Sequence, residues 1–381
     1  MSQRFEVIVV GLGAMGSSAL RHLSRRGIAA LGLDRFTPPH DRGSSHGQSR
    51  IIRRAYFETP GVYVPLVDRS LQLWSEIAEE SGRELFRQTG VLLVGDAYSQ
   101  MVSKASETVH THQIPHEHLS GEEVNQRFPA FDVPGRSKSI LEPQAGILFP
   151  ETSIETQIQL AVNRGATVRF KEPVQSWEAM PGGVRVRTSE ATYEAGSLIL
   201  SCGAWISQMV PQTPLPLSVE RQLLFWFEPK SHPEFFKPGR MPTFILEPSA
   251  GRFCYGMPDL GEGVKVAIHH EGDVIDPDSD GQPITPAEVG AMRDLLSQYL
   301  PEANGLLRKS EVCRYTNSPD EHFIVDRHPQ HPNIVLLSAC SGHGFKFSPV
   351  MGEIAADLVE GVTSPLHSGF FSLSRFLQGS Q

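Results

Sequence analysis

Cysteine is scarce in this chain: four residues in 381, at positions 202, 254, 313 and 340. They are too scattered for the paired spacing of a thiolate zinc site or a disulfide framework, so a reducing compartment fits and no metal centre is expected. No apolar run approaches the ~18 residues that a membrane-crossing helix needs. The run near the start, Val7-Ile8-Val9-Val10, is strand-sized and leads into glycines rather than a cleavage site, which argues against a secretory leader. The expected location is the cytoplasm, away from membranes. Basic blocks are missing too. The net charge is -9, and no concentrated basic face exists to hold a nucleic acid. Internal repeats and low-complexity segments are likewise absent. A small molecule is the partner that the composition favours.

What is there is a long globular chain, 39% hydrophobic and 20% charged, with length enough for two interlocked domains. The apolar run ends in Gly11-Leu12-Gly13-Ala14-Met15-Gly16, which predicts a buried parallel strand turning directly into a helix. Leu20 and Leu23 can face the sheet. Arg25 and Arg26 before Gly27 give the basic last turn and glycine stop of a helix end. A second strand over 29–33 ends on Asp34 and completes the opening of a doubly wound sheet. Farther on, a helical period lies within 60–85 and a strand at 90–94. Polar and apolar residues alternate over 167–170, 184–187 and 221–227, as in half-exposed strands. Buried strands return at 197–202, just before Gly203-Ala204-Trp205, and at 333–338. The chain therefore leaves the nucleotide domain and comes back to it.

Five clusters carry the chemistry. In the first loop Gly11 permits a tight turn, Gly13 lets backbone approach a pyrophosphate, and Gly16 lets helix and strand pack closely. The helix start offers free N–H groups and a positive dipole end, and Asp34, about 20 residues on, can accept hydrogen bonds from an adenosine ribose. This motif serves NAD and FAD equally. Around Ile51-Ile52, Arg50 and Arg53 either aim permanent charge into a partly apolar pocket, suiting a carboxylate or an anionic ring, or stand solvated. Over 264–269, strand alternation sorts Lys265, Ala267 and His269 onto one face, which meets a pocket or bulk water, and Val264, Val266 and Ile268 onto the other. Residues 341–347, Ser-Gly-His-Gly-Phe-Lys-Phe, precede a helix that Ser348 can cap and Pro349 can begin. That loop is a second site for negative charge, or simply a turn. By spacing alone Cys313 is a semi-buried thiol.

Taken in order, these segments resemble the monomeric sarcosine oxidase and N-methyl-L-tryptophan oxidase family, a branch of the amine-oxidising flavoproteins. The likeness rests on the N-terminal fingerprint, His46-Gly47 with Arg50-Ile51-Ile52-Arg53, Tyr255-Gly256-Met257-Pro258, Lys265 with His269, Cys313-Arg314-Tyr315, Pro319-Asp320-Glu321-His322-Phe323-Ile324-Val325-Asp326, and 341–347. The resemblance implies a mixed α/β fold. Its Rossmann-like FAD-binding domain would take residues 1–85, 146–215 and 318–381, and a substrate domain with a large, mostly antiparallel sheet would take 86–145 and 216–317.

It further implies FAD attached by a thioether from Cys313 to the flavin 8-methyl, with Gly203, Trp205, His343 and Gly344 completing the cofactor contacts. Lys265 would present its ammonium where O2 reacts and stabilise the superoxide-like charge that develops there. His46 and Arg50 would lie near the flavin ring. Arg53 and Lys346 would pair with a substrate carboxylate, Tyr255, His269, Tyr315 and Ile245 would line the substrate side, and the Gly342 backbone would lie beside the amine. No strong general base stands out, which suits hydride transfer from a neutral amine. The implied activity is oxidation of small secondary (N-methyl) amino acids such as sarcosine or N-methyl-L-tryptophan to an imine, with H2O2 from O2; the imine then hydrolyses to the amino acid and formaldehyde. Cyclic amino acids of the pipecolate or proline kind, or another electron acceptor, are the alternative. A monomer is expected. Ser45 stands where relatives often carry a second histidine, Ile245 where sarcosine-oxidising members carry methionine, and Cys254 precedes the turn tyrosine. These departures bear on substrate choice.

Overall fold

The computed structural model describes residues 3–279, 281–367 and 369–376. Strand Gln3–Val10 pairs in parallel with Thr192–Leu200 on one side and Ala30–Leu33 on the other. Thr167–Arg169 and His331–Ser338 extend this parallel core, and Val174–Met180, Gly183–Thr188 and Ile324–His328 add antiparallel edges, giving an eight-stranded sheet among the described residues. Alternate side chains of the first strand enter different cores. Val7 and Val9 pack with the helices Ala14–Arg25, Pro60–Ser81, Pro150–Asn163 and Ser348–Glu360, while Ile8 and Val10 pack with Val184, Leu198 and Ile206. A strand covered on both faces must be apolar throughout, which is why this run carries no polar alternation.

The second eight-stranded sheet runs in the order Leu307–Asn317, Ser218–Phe227, Val264–His269, Arg252–Met257, Thr243–Ser249, Val91–Gly95, Lys138–Glu142, Glu117–Ser120. Every neighbouring pair is antiparallel except Thr243–Ser249 with Val91–Gly95. On one face Phe225, Phe227, Phe244, Leu246, Val264 and Val266 bury against Met292 and Leu296 of the helix Pro286–Tyr299. Because side chains alternate, the intervening residues Ile245, Lys265 and Ala267 point the other way, toward the parallel sheet. A small antiparallel sheet of Arg50–Ile52, Gly146–Leu148 and Phe86–Gln88 completes the strands. No helix among the described residues is long and apolar enough to cross a membrane.

Two local expectations fail. The stretch 221–227 lies in a strand buried on both faces, not half exposed. Its polar residues meet partners instead of water: Arg221 donates to Glu288 Oε1 at 2.6 Å and to the Gln282 carbonyl at 2.9 Å. Ser348 does not cap its helix. A 3-10 turn over Phe345–Phe347 runs straight into Ser348–Glu360, so Ser348 already has helical φ and ψ, and its buried Oγ has no hydrogen-bond partner. A capping residue needs the extended backbone that this run-in removes.

Candidate active site

One cavity of about 500 Å³ is lined by both large sheets and by the loops at the ends of the parallel strands. Its walls combine Gly11, Gly13, Asp34 and Trp205 with Arg53, Tyr255, His269, Cys313 and Lys346.

The first strand ends at Gly11, whose φ of +88° suits glycine, and the Gly11 N–H donates to the Leu33 carbonyl at 2.8 Å. A Cβ on Gly16 would stand 1.8 Å from the Gly11 carbonyl oxygen, so helix Ala14–Arg25 is pressed against the turn. A Cβ on Gly13 would meet nothing within 4 Å. Gly13 thus fronts open cavity at the start of a helix whose first N–H groups lack partners inside the helix. Asp34 accepts from the Leu12 N–H at 2.7 Å through Oδ2 and from the Phe36 N–H at 2.8 Å through Oδ1. Each oxygen keeps a further lone-pair direction. Burial raises the Asp34 pKa against the pull of those two donors. Gly203 lines the same region, and Trp205 donates through Nε1 to Asp278 at 2.8 Å.

Cys313 and Glu311 occupy alternate positions of Leu307–Asn317, opposite Gln222 and Leu224. Cys313 is 1% exposed, with Arg50 Nη2 3.7 Å from its sulfur, and the same guanidinium is anchored on the Ser44 and Ser49 carbonyls at 2.7 and 2.8 Å. Burial alone would raise the thiol's pKa; the nearby His46 and the charges of Arg50 and Lys265 overcome it and bring it to about 7. His46 is the counterpart. Burial disfavours its charge, but Cys313 and the Glu311 carboxylate, 3.1 Å from Nδ1, lift its pKa to about 9. The hydrogen bond to His46 in turn holds Glu311 at about 2, with help from Lys309.

Lys265 and His46 do not line the cavity; they stand behind its wall. Lys265 is 2% exposed and donates to the carbonyls of Gly47 at 2.6 Å and Ser49 at 2.9 Å. Burial, then the Arg50 charge, press its pKa down. The water-facing alternative for this strand face is excluded.

Arg53 and Lys346 meet at another part of the lining, and neither is solvated. Arg53 donates to the Ala55 carbonyl, reaches Glu58 at 3.4 Å, and lies over the rings of Tyr56 and Phe57 at 4.4 and 4.5 Å. Lys346 donates to the Tyr56 hydroxyl at 3.0 Å and to the His343 carbonyl at 2.7 Å. Burial and then the Arg53 charge lower the Lys346 pKa to about 7. His343 is turned to the Tyr56 hydroxyl at 3.2 Å through Nδ1. Beside this pair the Tyr315 hydroxyl lies 3.3 Å from His269 Nδ1 and 3.4 Å from the Tyr255 hydroxyl. Burial keeps His269 neutral, reinforced by the charges of His270, Lys346 and Arg53, and burial holds both phenols protonated. Gly342, at φ +71°, comes so close that a Cβ would stand 2.7 Å from the His269 ring and 2.8 Å from Tyr315. Gly344 answers to packing, since its Cβ would strike the Ala339 carbonyl at 1.8 Å. Ile245 lines the cavity from the strand beside Tyr255.

Residues 6–358 match the family described as FAD dependent oxidoreductase. The chain belongs to that family. Monomeric sarcosine oxidase from Streptomyces avermitilis is 42% identical over 380 residues, covering 98% of each chain. N-methyl-L-tryptophan oxidase from Yersinia pestis is 33% identical over 374 residues, covering 98% of this chain and 99% of that one. Among solved structures, L-proline dehydrogenase from P. horikoshii superposes with a TM-score of 0.86 at 21% identity, covering 100% of both chains, a likeness of fold alone.

For a member of this family the cavity fits its FAD. The open space in front of Gly13 suits a pyrophosphate, the free lone pairs of Asp34 suit a ribose, and the buried Arg50 guanidinium and Lys265 amine stand near Cys313, where an electron-rich ring would gain from positive charge. Sequence reasoning missed Glu311, Tyr56 and Trp226. Alternation from Cys313 puts Glu311 on the same strand face and was a usable signal. Tyr56 and Trp226 carried none, because their contacts to Lys346 and Lys265 join segments distant in the chain.

Proposed function

We propose that the chain is an FAD-dependent oxidase of small secondary amino acids, sarcosine or N-methyl-L-tryptophan among them, giving an imine and H2O2. FAD supplies the acceptor for the two electrons of the C–H bond beside nitrogen and the point at which O2 is reduced. The observation that carries the reading is the pair Arg53 and Lys346, two cations buried in an aromatic cage that lines the cavity. Half-exposed Glu58, 3.4 Å from Arg53, offsets only part of the cost of holding two like charges out of water, and a substrate carboxylate offsets the rest.

With its carboxylate on this pair, a substrate's amine is directed toward Gly342, Tyr315 and His269. The absent side chain at Gly342 lets its backbone pack directly against the His269 and Tyr315 rings, which holds both rings beside the amine. A positively charged ammonium in a pocket that already holds two cations is disfavoured, so the site selects the neutral amine, whose lone pair assists hydride loss. Neutral His269 and the two phenols orient that amine without taking a proton from carbon. At the lining Arg50 supplies fixed positive charge for the electrons that arrive, and behind the wall Lys265 stands ready to add its own. Water hydrolyses the released imine, yielding formaldehyde where an N-methyl group was oxidised.

The sulfur of Cys313 is the proposed point of covalent attachment; its lining position and its thiolate character near pH 7 support this. The domain division at 1–85, 146–215 and 318–381 against 86–145 and 216–317, a monomeric state and a cytoplasmic location belong to the same reading. The names of the 42% and 33% identical relatives support N-methyl amino acids as the substrate class.

Peroxide release is the deciding assay, with sarcosine, N-methyl-L-tryptophan, pipecolate and proline each offered to the purified protein. Lys265→Met should abolish most peroxide production while anaerobic bleaching of the flavin by substrate persists. Bleaching by substrate with no peroxide in the unmodified protein would overturn the oxidase reading in favour of a dehydrogenase.

A further inference from the structure

The cysteine spacing leaves no thiolate zinc site, but residues 110–118, His-Thr-His-Gln-Ile-Pro-His-Glu-His, hold four histidines in nine positions. The fold gathers three of them. His110 sits in the last turn of helix Gln100–Thr111, His116 in the connection that follows, and His118 on the edge strand Glu117–Ser120. One ring nitrogen from each lies within 4.8 Å of the other two. The backbone forces the convergence: Gln113 takes φ +52°, its N–H reaches back to the His110 carbonyl at 3.2 Å, and the Ile114 N–H reaches Val109 at 2.8 Å. A left-handed residue at a helix end reverses the chain in this way, so the strand starts against the turn it has just left.

The rings are also oriented. His110 Nδ1 lies 2.6 Å from the Ser106 carbonyl and His116 Nδ1 lies 2.8 Å from the Ile114 carbonyl. A carbonyl accepts only, so both imidazoles carry their proton on Nδ1 and keep the Nε2 lone pair free. This is the arrangement by which backbone carbonyls fix metal-ligating histidines. His112 is not one of the three that converge. Glu117 is engaged by Arg127 at 2.5 and 3.2 Å. Among the described residues no carboxylate joins the three rings, and a trio of imidazole nitrogens selects borderline divalent ions over calcium or magnesium, which need oxygen ligands.

We propose that His110, His116 and His118 form a binding site for a borderline divalent transition-metal ion of the Zn²⁺ class, with a fourth position open to water. Ligands about 2.0–2.1 Å from such an ion stand closer together than the rings do now, and rotation of the exposed His110 and His118 side chains toward half-buried His116 closes the difference. The helix C-terminus adds its partial negative charge to the same place. The ion ties the end of the helix to the edge strand of the antiparallel sheet. None of the three histidines lines the main cavity, so the site is separate from amine oxidation.

The test is calorimetric titration of the full-length flavin-loaded protein, free of any affinity tag, with zinc chloride. One ion per chain should bind, with a rise in melting temperature that EDTA reverses. The His118→Gln protein, and separately the His110→Gln/His116→Gln protein, should bind about tenfold or more weakly, with flavin content unchanged. His112→Gln should bind as the parent does. Loaded with Cu²⁺, the parent should show spin-resonance splitting from three nitrogens, and His118→Gln from two. The site is refuted by absence of saturable one-to-one binding, by undiminished affinity in the double variant, or by fewer than three nitrogens in the parent spectrum. That last readout holds even if a variant fails to fold.

Discussion

His46 Nδ1 stands 3.1 Å from the carboxylate of Glu311, which lies two residues before Cys313 on one face of the strand Leu307–Asn317. Carboxylate, imidazole and thiol thus share one buried cluster in which each charge sustains the next. The cationic histidine lies between two anionic partners, and removing either end weakens the other.

In Glu311→Gln the imidazolium loses its carboxylate, and the Cys313 thiol rises from about 7 toward the ordinary cysteine value. Arg50 still faces the sulfur, so the thiolate share at pH 7 falls below half without vanishing. Covalent incorporation on mixing flavin-free protein with FAD should slow accordingly, measured as yellow colour retained in an acid precipitate. Cys313→Ser should leave the precipitate colourless and the flavin in solution. Equal incorporation rates in Glu311→Gln and the parent would rule out the cluster as the source of the thiolate.

Lys346 is charged below its pKa of about 7 and neutral above it. Its contribution to carboxylate binding is therefore full at lower pH and fades as pH rises through 7. Acetate, which has no amine to titrate, isolates this effect when its binding is followed by the flavin spectrum. Its dissociation constant should climb from pH 6 to pH 8, and Lys346→Arg should flatten the profile. At pH 6, Lys346→Met should weaken binding by about 2 kcal/mol, roughly thirtyfold.

Gly13 and Gly16 should fail differently. A Cβ at Gly16 collides with the Gly11 carbonyl, whereas one at Gly13 enters open cavity. Gly16→Ala should lower the melting temperature of the flavin-free protein as well as flavin binding. Gly13→Ala should keep the flavin-free melting temperature and lose affinity for FAD. Equal melting losses in the two variants would contradict the assignment of Gly13 to the pyrophosphate.

Gly342→Ala combines a left-handed backbone with contacts to His269 and Tyr315. Strain of roughly 1–3 kcal/mol and loss of space beside the amine should raise KM at least about tenfold while flavin content is kept. A bulky amine such as N-methyl-L-tryptophan should suffer more than sarcosine, read from the two kcat/KM values. An unchanged ratio would separate Gly342 from the amine.

The dinucleotide loop, its strand and helix, and the acid at Asp34 are legible along the chain because a strand, a tight turn and a helix are set by residues within reach of one another. The same holds for the sorting of Lys265 and His269 onto one strand face. Which face meets the cavity is different. That depends on the helix Pro286–Tyr299 covering Val264 and Val266, and alternation alone leaves Lys265 equally able to meet water. The pairing of Lys346 with Tyr56 spans 290 residues and His46 with Glu311 spans 265, distances over which no local pattern acts. Ser348 shows the limit in a single turn, since it has the residue type of a cap and lost the role when the preceding loop coiled into its helix. Charge follows the same division. The chain specifies that a thiol, an imidazole and an amine exist at 313, 46 and 346, but their pKa values near 7, 9 and 7 come from burial and from neighbours that folding brings together.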